Sequence, residues 1–112
     1  MPLPAPISSF ETIIGPIELD VGGAALLYTA PGLRRISDIY LTNDNTEDTT
    51  VDLHIVPPDE STANSNKFFD DFGTIPNDVR MVTGLNYAIN VGWKIYGSAS
   101  ATGVKLVVIA YR

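Results

Sequence analysis

The sequence predicts an all-β fold, an antiparallel β-sandwich of the jelly-roll type with an extended proline-rich arm at its N-terminus. Three observations support this fold class. Short runs rich in β-branched and aromatic residues recur along the chain, and turn signals separate them about every 8–12 residues. Several runs alternate apolar and polar side chains with the period of a strand. No window of about 11 residues keeps a helical period.

The chain has 112 residues, which is the length of one domain. We therefore expect residues 10–112 to form a single sandwich and residues 1–9 to form the arm. Prolines at positions 2, 4 and 6 remove backbone donors and favour polyproline geometry, so the arm cannot be a central strand. It packs either on its own sandwich or on a neighbouring subunit. The candidate contact residues of the arm are Pro2, Leu3, Pro4, Pro6 and Ile7.

Turn residues divide the first half of the sandwich into five strand candidates. The first, 10–14, is expected to end at Gly15-Pro16, and the second, 17–21, alternates apolar side chains with acids. Gly22-Gly23 and Pro31-Gly32 mark the next turns. The remaining candidates in this half are 25–29, 33–43 and 50–56.

The second half contributes five more candidates, and the last one, 104–111, is apolar on both faces. A strand of a sandwich normally has one face in water, so a second apolar face needs a cover. The cover is either a partner chain, which indicates an oligomer, or the chain's own arm. The candidate contact residues on this second face are Val107, Ile109 and Tyr111. The other strand candidates are 67–72, 79–82, 87–91 and 93–98.

Charge limits the classes of partner. The net charge is −6, and Lys67 is the one basic residue between positions 38 and 78. Such a surface repels phosphates, so we expect no nucleic-acid partner. No apolar stretch reaches the roughly 18 residues of a membrane span, and the first residues do not resemble a secretion signal. We therefore expect no membrane partner and synthesis in the host cytoplasm.

Arg34 and Arg35 form the one pair of adjacent basic residues. On a strand they face opposite ways, so at least one of them is expected to meet an acidic group of a partner. Both are candidate partner-binding residues.

The sequence shows no legible catalytic, metal or cofactor site, and we expect a non-enzymatic protein. It has no cysteine, and its one histidine, His54, is expected on the exposed face of its strand without a marked nucleophile. Asp70 and Asp71 should point to opposite faces unless the strand is bulged. The oxygen-rich loop from Asp44 to Asp48 could bind calcium but lacks the glycine and distal Glu of an EF-hand.

Two aromatic residues leave a different function open. Trp93 and Tyr96 could serve as stacking platforms for sugars, which would make the chain a carbohydrate-binding module. The competing interpretation is that both side chains pack in the core or at its edge.

Three segments carry a resemblance to a known group of proteins: 26–32 (LLYTAPG), 35–43 (RISDIYLTN) and 51–58 (VDLHIVPP). With the later 74–76 and 95–100, they resemble the small β-sandwich virion proteins of tailed bacteriophages over about residues 25–112. The resemblance implies a capsid decoration (cement) protein on the outer surface of the virion, bound to the major capsid protein or other virion proteins. For such a decoration protein we expect a homo-oligomer, with a trimer favoured. The alternative within the same group is a tail, neck, baseplate or fibre component.

Overall fold

The computed structural model describes residues 10–111, and the arm predicted for residues 1–9 lies outside them. The described part consists of nine strands and one short 3-10 helix, connected by turns and loops. The strands are β1 (Phe10–Glu18), β2 (Ala25–Thr29), β3 (Arg34–Asn43), β4 (Thr49–Val56), β5 (Lys67–Thr74), β6 (Val79–Val82), β7 (Tyr87–Ile89), β8 (Lys94–Ala99) and β9 (Val104–Tyr111). The 3-10 helix is Asn64–Asn66.

The strands form two antiparallel sheets that pack face to face. Sheet A has the order β1-β9-β3-β6, with β7 also paired to β3, and sheet B has the order β2-β8-β4-β5. In sheet A, Val82 pairs with Ile39 and Tyr87 pairs with Ile36, so β6 and β7 are two halves of one interrupted strand. Counted in this way, eight strands have the order of a jelly roll, and consecutive strands lie in different sheets except β4 and β5, which are neighbours in sheet B. The predicted fold class is confirmed.

Aliphatic side chains from the inner faces of both sheets form the core. Alternation along each strand puts every second residue between the sheets, which is why β-branched residues and leucines at that spacing are buried. Burying each of these side chains contributes about 1.5–3 kcal/mol to stability. The largest buried side chains are Leu19, Ile36, Ile39, Leu41, Leu53, Ile89, Ile95, Leu106, Val51, Val56, Val104 and Val108.

The start of the sandwich differs from the prediction. The predicted break at Gly15-Pro16 is wrong, because β1 continues through it to Glu18 and absorbs it in register shifts against β9. The predicted strand 17–21 is also wrong. The Leu19 N–H donates to Val104 O in sheet A, whereas Asp20 O accepts from Ala99 N–H in sheet B. Residues 19 and 20 therefore carry the chain from one sheet to the other.

The predicted exposure of His54 is wrong as well. The side chain points to the outer side of sheet B, but residues 57–66 fold over it and leave His54 6% exposed. Its Nδ1 lies 2.9 Å from Asn66 Oδ1 in the 3-10 helix. The sequence pattern assigns a face of the sheet correctly here, but it does not show that a loop covers that face.

Candidate interaction face

The outer face of sheet A carries a band of apolar side chains. In β9, Leu106, Val108 and Ala110 point into the core, and Val107, Ile109 and Tyr111 point outwards. The register then places outward side chains of β1, β3 and β6 beside those of β9. We call this band the apolar face. It consists of Phe10, Tyr40, Met81, Val107, Ile109 and Tyr111.

The members of the apolar face are neighbours across the strands. Met81 of β6 lies opposite Tyr40 of β3, and Tyr40 lies opposite Val107 of β9, so three apolar side chains form one row. At the other end of β9, the rings of Phe10 and Tyr111 lie with their centroids 5.3 Å apart. The exposed fractions of Phe10 and Met81 are 65% and 61%. The band therefore crosses all four strand positions of sheet A.

This composition distinguishes the apolar face from an ordinary solvated sheet. The outer face of an antiparallel sheet is normally polar, because water covers it. A contiguous exposed band of apolar side chains marks an interaction surface, and aromatic residues and methionine are the types enriched at the centre of such surfaces. Of the predicted contact residues, Val107, Ile109 and Tyr111 all lie in this band and are half-buried.

The two arginines lie on opposite sides of sheet A, as their adjacent positions require. Arg34 points to the inner side and forms an ion pair with Glu11 of the same chain, with 11% of its side chain exposed. Arg35 pairs in register with Tyr111, and its guanidinium lies 3.4 Å from Asn86 Oδ1, which also accepts from the Tyr111 hydroxyl. Arg34 thus has an acidic partner within its own chain, and Arg35 lies at the rim of the apolar face.

The outer face of sheet B has the opposite character. Asp52 of β4 lies beside Asp70 and Asp71 of β5, with carboxylate oxygens of all three within 4.8 Å of one another. The Lys67 ammonium lies 3.1 Å from Asp70 Oδ1 and 3.8 Å from Asp52 Oδ2. The hydrogen bond to Asp70 raises the pKa of Lys67 above its ordinary value, and the nearby Asp52 charge adds to this. These side chains give this part of the face a net negative charge.

A bulge in β5 creates the acidic cluster. Val51 pairs with Phe72 and Leu53 pairs with Phe69, so β5 has one more residue than β4 between these pairs. Asp71 adopts a left-handed conformation with φ +51°, and its N–H donates to Asp52 Oδ1 at 2.8 Å. The strand is bulged, which is the exception stated for the prediction that Asp70 and Asp71 point to opposite faces.

The candidate calcium loop between β3 and β4 is organised by protein groups. The Asn43 side chain is fully buried, donates to Glu47 O at 3.0 Å and accepts from the Asn45 N–H at 2.8 Å. Asn45 in turn accepts from the Glu47 N–H and donates to Thr102 O. Asp44 forms an ion pair with Lys105 at 3.6 Å. Asparagine side chains here bond to backbone groups of the tight turn that have no backbone partner.

Replacing Asn43 with alanine is expected to lower the free energy of unfolding by about 2 kcal/mol. The change removes the side-chain hydrogen bonds of a fully buried amide and leaves buried backbone groups without a partner. Urea denaturation measures the loss. Asn45→Ala is the matched control, because Asn45 makes the same kinds of bond closer to the surface, and we expect a loss of about 0.5–1 kcal/mol there.

The structure separates the other candidates for chemistry. Trp93 packs against the core, and Tyr96 lies on sheet B in register with Leu26 and His54, so the two do not form one flat platform. Ser98 and Asp52 face each other at a polar cavity of about 310 Å³. His54 lies opposite Tyr96 in the sheet register, and its Nδ1 lies 2.9 Å from Asn66 Oδ1.

Sequence reasoning missed Phe10, Tyr40 and Met81. Each is an apolar residue at a position whose side chain points outwards from its strand. In 79–82 and 33–43 these positions can be identified from the sequence once the buried positions are known. Their assembly into one band depends on the pairing of β1, β9, β3 and β6, which connects residues far apart in sequence. The band therefore has no local signal of its own.

Within residues 10–111, no helix is long and apolar enough to cross a membrane. The sequence matches no protein-family model and no curated protein. The fold is similar to that of a chain in the solved structure of infectious bursal disease virus, Gx strain, with a TM-score of 0.55 and 10% sequence identity. The similarity covers 93% of this chain and 31% of the viral chain, so this chain spans about a third of that chain's length. At this identity the likeness shows a shared fold.

Proposed function

We propose that this chain is a non-enzymatic structural protein of a virus particle, and that its subunits join through the apolar face. The observation that carries the proposal is the contrast between the two outer faces of the sandwich. Sheet A presents Met81, Tyr40 and Val107 in one row, whereas sheet B presents the Asp52, Asp70 and Asp71 carboxylates. A domain built in this way buries one side against protein and leaves the other in water.

The fold and the sequence pattern support a place in a virion. The jelly roll recurs in viral capsid domains, and this chain shares its fold with a chain of infectious bursal disease virus. The segments 26–32, 35–43 and 51–58 resemble virion proteins of tailed phages. Similarity of fold alone is an analogy. The contrast between the two faces therefore supports a contact surface, and the similarity of fold supports a place for that contact in a virus particle.

Within that setting we propose a capsid decoration protein, assembled as a homo-oligomer with a trimer favoured. It binds the major capsid protein at the outer surface, with sheet B towards the solvent. The acidic cluster favours this orientation, because carboxylates that faced the packaged nucleic acid would be repelled by its phosphates. A tail, neck, baseplate or fibre position would use the same contacts at a different place in the particle.

Purified protein added to shells that lack it tests this proposal. We expect the protein to co-sediment with the shells and to raise their melting temperature. At a free concentration of 100 times Kd, binding adds about 2.7 kcal/mol to the stability of each occupied site. Immunogold labelling of whole particles then distinguishes the shell from the tail. Shells that neither bind the protein nor gain stability, together with particles that carry no label, would refute a virion role.

A further inference from the structure

We propose that the arm, residues 1–9, of one copy covers the apolar face of a second copy. The inference rests on the proposed role of the apolar face as a subunit contact, and it names the group that makes the contact. The arm is a suitable occupant because it holds no charged side chain and consists mainly of proline and aliphatic residues, including Leu3 and Ile7. These are the residue types that the apolar side chains of this face accept. The charged neighbours of the band, Arg35 and Asp38, bond to groups of their own chain.

Proline restricts how the arm binds. Prolines at 2, 4 and 6 remove the backbone donors on one side of an extended chain, and residues 3, 5 and 7 keep theirs on the other side. An arm in polyproline geometry, which these prolines favour, forms no backbone ladder with a sheet edge and binds through its side chains. Such side-chain contacts require an apolar face. The apolar face meets this requirement in the described part of the chain.

The direction of β1 favours a second copy over the chain's own face. Phe10, the first residue of β1, pairs with Tyr111 at the end of β9, so the chain enters the sandwich from beyond that end of sheet A. Residues that precede a proline are restricted to extended conformations, which predicts an extended chain over residues 1–6. To reach its own apolar face, the chain would have to reverse direction over residues 7–9. Six residues would then remain for the contact, and in polyproline geometry they span about 19 Å.

Length and area agree with exchange of arms. Nine residues in polyproline geometry span about 28 Å, which matches the roughly 27 Å of the eight-residue strand β9. Three strand spacings of about 4.8 Å separate β1 from β6, so the whole outer face of sheet A, which contains the apolar face, has a flat area of roughly 400 Å². Each partner in a stable interface buries about 800 Å². Sheet A alone falls short of this area, and an arm laid along it supplies more.

Cysteine cross-linking tests the inference cleanly because the chain has no cysteine. One preparation carries Leu3→Cys, and a second, tagged preparation carries Val107→Cys, Ile109→Cys or Tyr111→Cys. The three positions sample the register, since a disulfide needs Cα atoms about 4.4–6.8 Å apart. After mild oxidation of the mixture, we expect disulfide-linked pairs of one tagged and one untagged chain for at least one position. The matched control replaces the second variant with Asp70→Cys on sheet B, whose side chain is 70% exposed.

We expect at least about ten times more linked pairs with the best position on the apolar face than with Asp70→Cys. Equal yields from both faces would overturn the inference. A Leu3→Cys/Ile109→Cys chain that closes an internal disulfide as a monomer would also overturn it, because its own arm then covers the face. Particle labelling is independent of these outcomes. Labelled particles without cross-linking between chains refute the arm exchange alone, and cross-linking without labelling refutes the virion role alone.

Discussion

Replacing Gly15 with alanine is expected to lower the free energy of unfolding by about 3 kcal/mol. Gly15 lies inside β1 with φ +84°, in the left-handed region that a side chain disfavours by about 1–2 kcal/mol. A Cβ at this position would lie 2.0 Å from Leu106 O and 2.9 Å from Ile17 N. Both atoms belong to the backbone, so no change of rotamer relieves the overlap, and overpacking adds about 1–3 kcal/mol. Urea denaturation followed by circular dichroism measures the effect as a lower midpoint.

Gly23→Ala provides the matched control for this prediction. Gly23 lies in the connection from β1 to β2, where a Cβ would meet no atom within 4 Å, and its φ is not positive. We expect its stability to change by at most about 0.5 kcal/mol. If Gly15→Ala were as stable as the parent protein, β1 could not pass beside the Leu106 carbonyl as the structure has it.

The Gly15 result also shows where the sequence is informative and where it is not. The period of two in β9 and the composition of β2 predict both strands with their observed ends, because each signal is local. Gly15-Pro16 is a local signal with two meanings, a strand end or a bulge. Hydrogen bonds to β9, which lies about ninety residues further along the chain, decide between them.

The candidate site depends even more on contacts distant in sequence. The two-faced character of β9 was readable, and it correctly placed Val107, Ile109 and Tyr111 on one outer face. The partners Tyr40 and Met81 join them only through the jelly-roll strand order. The acidic cluster of Asp52, Asp70 and Asp71 likewise depends on a bulge that adjacent aspartates do not announce. Patterning predicts which way a side chain points, whereas topology determines what it meets.

Replacing Met81 with aspartate is expected to weaken association of the subunits by at least about 30-fold, which corresponds to the roughly 2 kcal/mol of an interface hot spot. Met81 ends the row that runs through Tyr40 to Val107, and a carboxylate there would have to lose its water without a partner. Because the side chain is 61% exposed in the single chain, folding should change by at most about 0.5 kcal/mol. Light scattering across a dilution series measures the association.

Leu26→Asp separates a loss of this contact from a general effect of added charge. Leu26 is 51% exposed, lies on an edge strand as Met81 does, and pairs with Tyr96 on the outer side of sheet B. The two variants thus add the same charge at similar exposure on opposite sides of one sandwich. If sheet A is the contact, only Met81→Asp lowers the mass, and it also lowers shell binding because a single subunit binds without the avidity of the oligomer. If both variants lost association equally, the contact between subunits would not be specific to the apolar face.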